Sequence, residues 1–235
     1  ATLMFLQASK AKDLENTKAL CGAAKKAVLD WIRQNPFLFG PHYLSAMECG
    51  LRVYSFFQCL KACRDLTEKE IKEIAAAIYL HGWWIYRRRS LYASLGNHTI
   101  CEAVGLVFAG AVCRKTTEGN RWLKEGIKLL RQELTHQIPD DGGPVEQSMS
   151  YHRFVLDLYW LAKDFLEKNK VQDLADFQTH LLKGEAFLNT LQDSVGRFPA
   201  IGDSDNGYAI APGVAPLRHK GEKPAKDLSI FATSG

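Results

Sequence analysis

The chain has 235 residues, 46% of them apolar and 11% aromatic, enough to bury a core as one large domain or one domain with a short appendage. Its 30 Lys and Arg against 26 Asp and Glu leave a formal charge of +4. That balance suits an acidic ligand and excludes a basic arm that wraps nucleic acid. No apolar run approaches the roughly 20 residues that span a bilayer. The opening Ala1-Thr2-Leu3-Met4-Phe5-Leu6 lacks the basic region and cleavage site of a signal peptide, and a start without Met reads as a processed or trimmed terminus.

Helical periodicity dominates. From Lys12 to Arg33, Leu14, Ala19, Ala23, Ala27, Val28, Trp31 and Ile32 fall largely on one stripe, and Asn35-Pro36 with Gly40-Pro41 then break the helix. A second helix is expected over about 45–64. Thr67-Glu68-Lys69-Glu70 opens a third as a capping box, running to about Tyr86. The Arg87-Arg88-Arg89 run that follows reads as a solvated helix end, with a groove for polyanions as the alternative. Further helices are expected over about 97–114, 119–136, 146–169 and 171–190, separated by polar and glycine-rich loops. Beyond Asp193 the helical period stops. Leu228-Ser229-Ile230-Phe231-Ala232 reads as one strand, which needs a partner, so it looks like the opening of a β domain. The expected organisation is a helical domain over 1–195 and a linker with a first strand over 196–235. Seven helices joined by short loops suggest antiparallel hairpins in a bundle, toroid or solenoid.

The six cysteines, at 21, 49, 59, 63, 101 and 113, all lie in helical segments without a CxxC pair or zinc spacing. Cys59 and Cys63, side by side on one helical face, are poorly placed for a disulfide. Buried free thiols are expected, which alone would favour a reducing compartment.

Three segments place ionisable groups at helix ends. In Gly96-Asn97-His98-Thr99-Ile100-Cys101-Glu102, His98 and Glu102 share a helical face, and Asn97 is well placed as an N-cap. A metal site on His98 and Glu102 lacks a third ligand. In the second segment, the glycine loop from Asp140 feeds a helix whose first turns present Glu146, Gln147, Tyr151 and His152. Taken alone, Tyr151 is more often a half-buried core aromatic. The third, Gly202-Asp203-Ser204-Asp205, reads alone as a tight Asx-rich turn.

Taken in order, these segments resemble the heparinase II/III family of polysaccharide lyases. Asn35-Pro36 through Gly40, then Tyr43-Leu44-Ser45-Ala46-Met47-Glu48 and Arg52, resemble the family's NP…G…W-x-S-x-M-E…R segment, with Tyr43 where the family usually has Trp. Asn97-His98, Glu102, Gly105-Leu106 and Gly110 resemble its NH…E…GL…G helix. The glycine loop with Glu146, Ser148 and Tyr151-His152 resembles its DG…E-x-S-x-x-YH segment, and Gly202-Asp203-Ser204-Asp205 its GDSD turn. The resemblance implies a mainly α fold, an incomplete α/α toroid of helix hairpins followed by the start of a β-sandwich.

It also implies β-elimination next to a uronic acid in an acidic polysaccharide, a glycosaminoglycan or another uronate polymer. Asn97 and His98 would neutralise the C5 carboxylate, assisted by Glu102 if protonated, Glu102 either orienting His98 or contacting substrate, and Tyr151 would act as base, acid or both. Tyr43, Arg52, Glu146 and His152 would contact substrate, although an Arg52–Glu48 bridge at i,i+4 is the favoured reading of Arg52. A free tyrosine, with a pKa of about 10, is a poor base at neutral pH, so a cation beside it is required. A histidine of the β domain is the candidate, with His152 or an arginine in reserve. The chain ends before that domain, so by itself it is expected to be weakly active or inactive. No cofactor is required, although a structural metal in the β domain stays open. A bacterial, periplasmic or secreted location follows from the resemblance and conflicts with the cysteines. No nucleic acid or membrane span is expected, and oligomeric state is open. Two alternatives remain: a glycan-binding protein without activity on the same fold, and a glycoside hydrolase pairing Asp140 or Asp141 with Asp203 or Asp205.

Overall fold

The computed structural model describes residues 1–10, 13–92, 94–193, 198–203 and 209–210. The 194–197 segment, where the two expected domains meet, and the expected strand at 228–232 lie outside these. Among the described residues the regular structure is helical: α1 (Thr2–Lys10), α2 (Leu14–Gln34), α3 (Ala46–Ala62), α4 (Glu68–Arg87), α5 (Asn97–Val112), α6 (Thr117–Gln137), α7 (Met149–Lys168) and α8 (Phe177–Leu191), with a 3-10 turn at Pro41–Tyr43. Helix α1 was not expected. Helix α7 begins at Met149 rather than at Glu146, because Ser148 is its N-cap and accepts from the Tyr151 N–H. Helix α8 begins at Phe177 rather than Val171, after a loop in which Glu167 and Asp173 accept backbone N–H groups.

Elsewhere local signals do what they should. Asp13 accepts from the N–H groups of Glu15 and Asn16 at the start of α2, and Thr67 and Glu70 close both halves of the capping box at α4. No described helix is long and apolar enough to cross a membrane. All six cysteines are free, and Cys49, Cys59, Cys63 and Cys101 are buried.

The chain divides into two compact units, Ala1–Ala93 with Cys101–Ile127, and Ser94–Ile100 with Lys128–Gly235. In the first, α3 and α5 meet at their backbones. A Cβ on Gly50 would lie 2.6 Å from the Cys101 carbonyl oxygen, and one on Gly105 would lie 2.6 Å from the Gly50 Cα. Likewise a Cβ on Gly110 would lie 2.5 Å from the Leu123 nitrogen, so both motif glycines of α5 mark close helix crossings. At the end of α4, Arg87 stacks 4.0 Å from the Trp83 ring centroid and Arg88 5.0 Å from that of Trp84. Arg89 pairs with Glu125 at 2.8 Å. The arginine run is therefore a helix end whose heads lie on aromatic faces.

In the second unit, α7 is buried on nearly every side, Tyr159 donating to the Leu130 carbonyl at 3.2 Å and Lys163 pairing with Glu167 at 3.0 Å. Helix α8 packs along it.

Candidate active site

The second unit holds a cluster built on two helix N-termini. At the start of α5 the Gly96 carbonyl accepts from the Ile100 N–H, making Gly96 the backbone cap. Asn97 does not cap the helix with its side chain. Its backbone N–H donates to Glu146 Oε1 at 2.5 Å and its Nδ2 to Oε2 at 2.7 Å, so one carboxylate grips both ends of the residue. This corrects the N-cap reading: the orphan N–H of the first turn is satisfied from a loop 49 residues away, where the helix dipole favours negative charge. Glycine at 96 makes room, because a Cβ there would lie 2.5 Å from Glu146 Oε1. Asn97 is 7% exposed and Glu146 half-buried.

Glu146 sits in the Pro144–Gln147 turn, closed by a bond from the Gln147 N–H to the Pro144 carbonyl. Upstream, Asp141 accepts from the Gly143 N–H at 2.9 Å, and Asp140 pairs with Lys183 at the surface. Those two carboxylates, candidates for a hydrolase pair, are occupied by loop geometry.

At the start of α7, half-buried Tyr151 donates its hydroxyl to Asp203 Oδ2 at 3.0 Å. Ser148 caps the helix and donates its own hydroxyl to the Asp203 carbonyl at 2.5 Å. Gly202 has φ +73°, and a Cβ there would lie 2.2 Å from the Gln147 carbonyl oxygen, so only glycine lets the turn close on α7. Ser204 and Asp205 lie outside the described residues. Glu146 and Tyr151 line one small cavity, together with Gln137, Pro144 and Val155.

His152 lines the same cavity from its buried side. It is 1% exposed, against Phe187 and close to the Gly184 backbone, and burial drives its pKa down to about 4. It is neutral at pH 7, which corrects its reserve role as the cation beside Tyr151. His98 lies half-buried on the first turn of α5.

The other candidates belong to the first unit. Glu102 is fully buried and accepts from the Ser90 N–H at 2.6 Å and the Ser90 hydroxyl at 2.8 Å. Burial pushes its pKa up to about 7 against the opposing pull of those two donors. The carboxylate is thus spent on Ser90, not on the His98 that shares its helical face.

Arg52 donates to His81 Nε2 at 3.2 Å, to Glu48 at 3.4 Å, to the His42 carbonyl and to Cys49 Sγ at 3.1 Å, while its guanidinium lies 4.8 Å from the Trp31 ring centroid. Tyr43 is 5% exposed, donates to the Asn35 carbonyl at 3.0 Å and packs edge-on against Phe37. Both help to hold the first unit together, and the Arg52–Glu48 bridge expected at i,i+4 is present. Asp203 as the partner of Tyr151 and Ser90 as the partner of Glu102 were missed. The GDSD motif pointed to the first; no local signal pointed to the second.

No group of three or more His, Cys, Asp or Glu side chains is arranged to hold a metal among the described residues. Comparison with known proteins places these elements. Residues 23–204 match the family described as Heparinase II/III N-terminus. A heparin-sulfate lyase of Bacteroides stercoris is 23% identical over 193 residues, 72% of this chain and 27% of the relative. Another, from Bacteroides thetaiotaomicron, is 30% identical over 94 residues, 39% of this chain and 13% of its own length. Among solved structures, heparinase III superposes with a TM-score of 0.64 at 20% identity, covering 84% of this chain and 31% of that one. The heparan sulfate lyase of Pedobacter heparinus gives 0.57 at 20% identity, covering 83% and 31%. The chain therefore spans less than a third of these relatives' length. Its helices correspond to the helical toroid of those structures, and the chain belongs to the heparinase II/III family.

Proposed function

We propose that this chain carries the helical share of a polysaccharide lyase site that cleaves a uronic-acid-containing glycosaminoglycan by β-elimination. The observation that carries the reading is the pairing of Asn97 with Glu146 and of Tyr151 with Asp203 within one unit, Glu146 and Tyr151 lining a common cavity. The C5 proton of a uronate is barely acidic while the neighbouring carboxylate keeps its full charge. Donors aimed at that carboxylate stabilise the enolate-like state where charge builds up. The Asn97 amide, fixed by Glu146, supplies one, and His98 on the same helical turn a second. The Tyr151 hydroxyl handles the proton, taking it from C5, returning one to the leaving O4, or both. The C4–O bond breaks and a C4–C5 double bond remains. Neither step needs a metal. Such a polymer is met outside the cytoplasm, so we place the protein in a periplasmic or secreted setting. The intact protein should need a cation from beyond the described residues to ionise Tyr151.

The test is to incubate the intact protein and its Tyr151→Phe variant with heparan sulfate, heparin and other uronate polysaccharides, following unsaturated-uronate absorbance. The expected result is a signal with a glycosaminoglycan that drops about 100- to 10,000-fold in the variant. Binding to the same glycans without any unsaturated product would replace the lyase by a glycan-binding protein on this fold.

A further inference from the structure

Tyr151 does not stand alone at the start of α7. The 198–203 segment is fastened over that helix end at three points: the Ser148 hydroxyl on the Asp203 carbonyl, the close approach of Gly202 to Gln147, and the Asp203 carboxylate on the Tyr151 hydroxyl. Gln147 itself has φ +51°, uncommon for a residue with a side chain, so the turn on the α7 side is shaped to meet the glycine. The main-chain bond to Ser148 fixes where the Asp203 side chain starts, and its Oδ2 ends 3.0 Å from the phenolic oxygen. A salt-bridging or solvating role would not require this degree of backbone fixation.

We propose that Asp203 is a positioning residue for Tyr151: it fixes the direction of the phenolic hydroxyl and holds it in the protonated form until substrate and a cation are in place. The inference rests on the lyase reading for its purpose, although not for its geometry. The physical reason is direct. A carboxylate that accepts the phenolic O–H stabilises the neutral phenol, and its negative charge penalises the phenolate. Titratable groups shown beside Tyr151 among the described residues include Asp203 on the turn, Glu146 in the shared cavity, and His152 on α7, the last buried and neutral at pH 7. Both carboxylates act in the same direction, and nothing among these three groups opposes them at neutral pH. The bond to Asp203 therefore favours keeping the proton on Tyr151, ready for the leaving oxygen. Using Tyr151 as a base first requires the influence of Asp203 to be offset.

The experiment uses the intact protein with ¹³Cζ-labelled tyrosine, the Tyr151 resonance being assigned by its loss in Tyr151→Phe. Asp203→Asn keeps an oxygen acceptor in place and removes the charge; Asp203→Ala removes both. The expected result is a fall of roughly half to one unit in the Tyr151 titration midpoint in both variants. The tyrosine-linked limb of the elimination pH profile should move to lower pH by the same amount. A melting curve on each variant separates loss of fold from loss of coupling. An unmoved or raised midpoint in a folded Asp203→Asn overturns the proposal, even if turnover falls. A lowered midpoint without elimination on any uronate polymer keeps the Asp203–Tyr151 coupling and overturns the lyase reading. Elimination with an unmoved midpoint does the reverse.

Discussion

The Arg52 cluster of the first unit and the Asn97–Tyr151 cluster of the second are made of similar parts: a strong donor, carboxylates, a histidine and aromatic rings. They differ in where the donors are spent. Arg52 directs its guanidinium inward, onto His81, the His42 carbonyl and Cys49, beneath the Trp31 ring. His81, 2% exposed with a pKa driven down to about 4 by burial and by the Arg52 charge, is a neutral acceptor there, and the exposed Glu48 carboxylate is the charged one. In the second cluster, Glu146 and Tyr151 are half-buried and Asp203 is exposed, so each pair could exchange a partner for a ligand. Chemical type within a motif does not separate these cases; the bookkeeping of donors against solvent does.

Crossed substitutions put the largest effects on this contrast. Asn97→Ala should lower kcat about 100- to 1,000-fold, the cost of removing one aimed donor, while the protein stays folded. Arg52→Ala should do the converse. It should cost about 2–3 kcal/mol of stability, by loss of a packed and multiply bonded side chain, and change kcat/KM little at a temperature where it is folded. Calorimetry and steady-state kinetics on both variants decide the matter. A folded Arg52→Ala that no longer turns over would move Arg52 into the substrate site and erase the contrast.

Glu102 sharpens it further through pH. Its folded pKa of about 7 lies above the ordinary glutamate value of 4.5. Below pH 4.5 the group is protonated folded or unfolded, and its full contribution is present. As pH rises towards 7 and beyond, the unfolded chain ionises more readily and that contribution is lost. His81 and His152, with folded pKa values of about 4 against 6.5, work oppositely: their contribution is present above 6.5 and lost as pH falls through 4. Glu102→Gln should therefore remove the stability loss that accrues between pH 4.5 and about 7. Relative to the parent, it should gain about 2 kcal/mol between pH 5 and pH 8, measured by urea unfolding at both. A parallel offset at the two pH values would mean that Glu102 ionises normally in the folded protein.

Much of the helical framework was legible because its signals are local. The Thr67–Glu70 capping box and the stripe of α2 lie within a few residues of the bonds they predict. Gly105 and Gly110 were visible as motif letters, but their reason, backbone contact with α3 and α6, lies in packing. The start of α7 was misplaced by three residues because Glu146 looks like a first-turn acid, when its carboxylate serves the first turn of α5 instead. His98 and Glu102 share a helical face as their spacing requires, yet Ser90 binds both carboxylate oxygens. The pairs Asn97–Glu146 and Tyr151–Asp203 join residues 49 and 52 positions apart. No periodicity reports such a contact; only the ordered motifs placed all four residues under suspicion together.

Ser148 makes the smallest and most discriminating change, because it belongs to fold and site at once. Its hydroxyl accepts the Tyr151 N–H at 3.3 Å, which is a helix cap, and donates to the Asp203 carbonyl, which is a tether. Ser148→Ala should cost about 1 kcal/mol through the cap. Ser148→Gly removes the same hydroxyl at a cap position that glycine tolerates for a few tenths of a kcal/mol, so it should recover most of the cap term while leaving the tether broken. If the tether positions Asp203, both variants should show the same lowered Tyr151 titration midpoint despite their different melting temperatures. If Ser148 acts only as a cap, the midpoint should follow stability and return towards the parent value in Ser148→Gly.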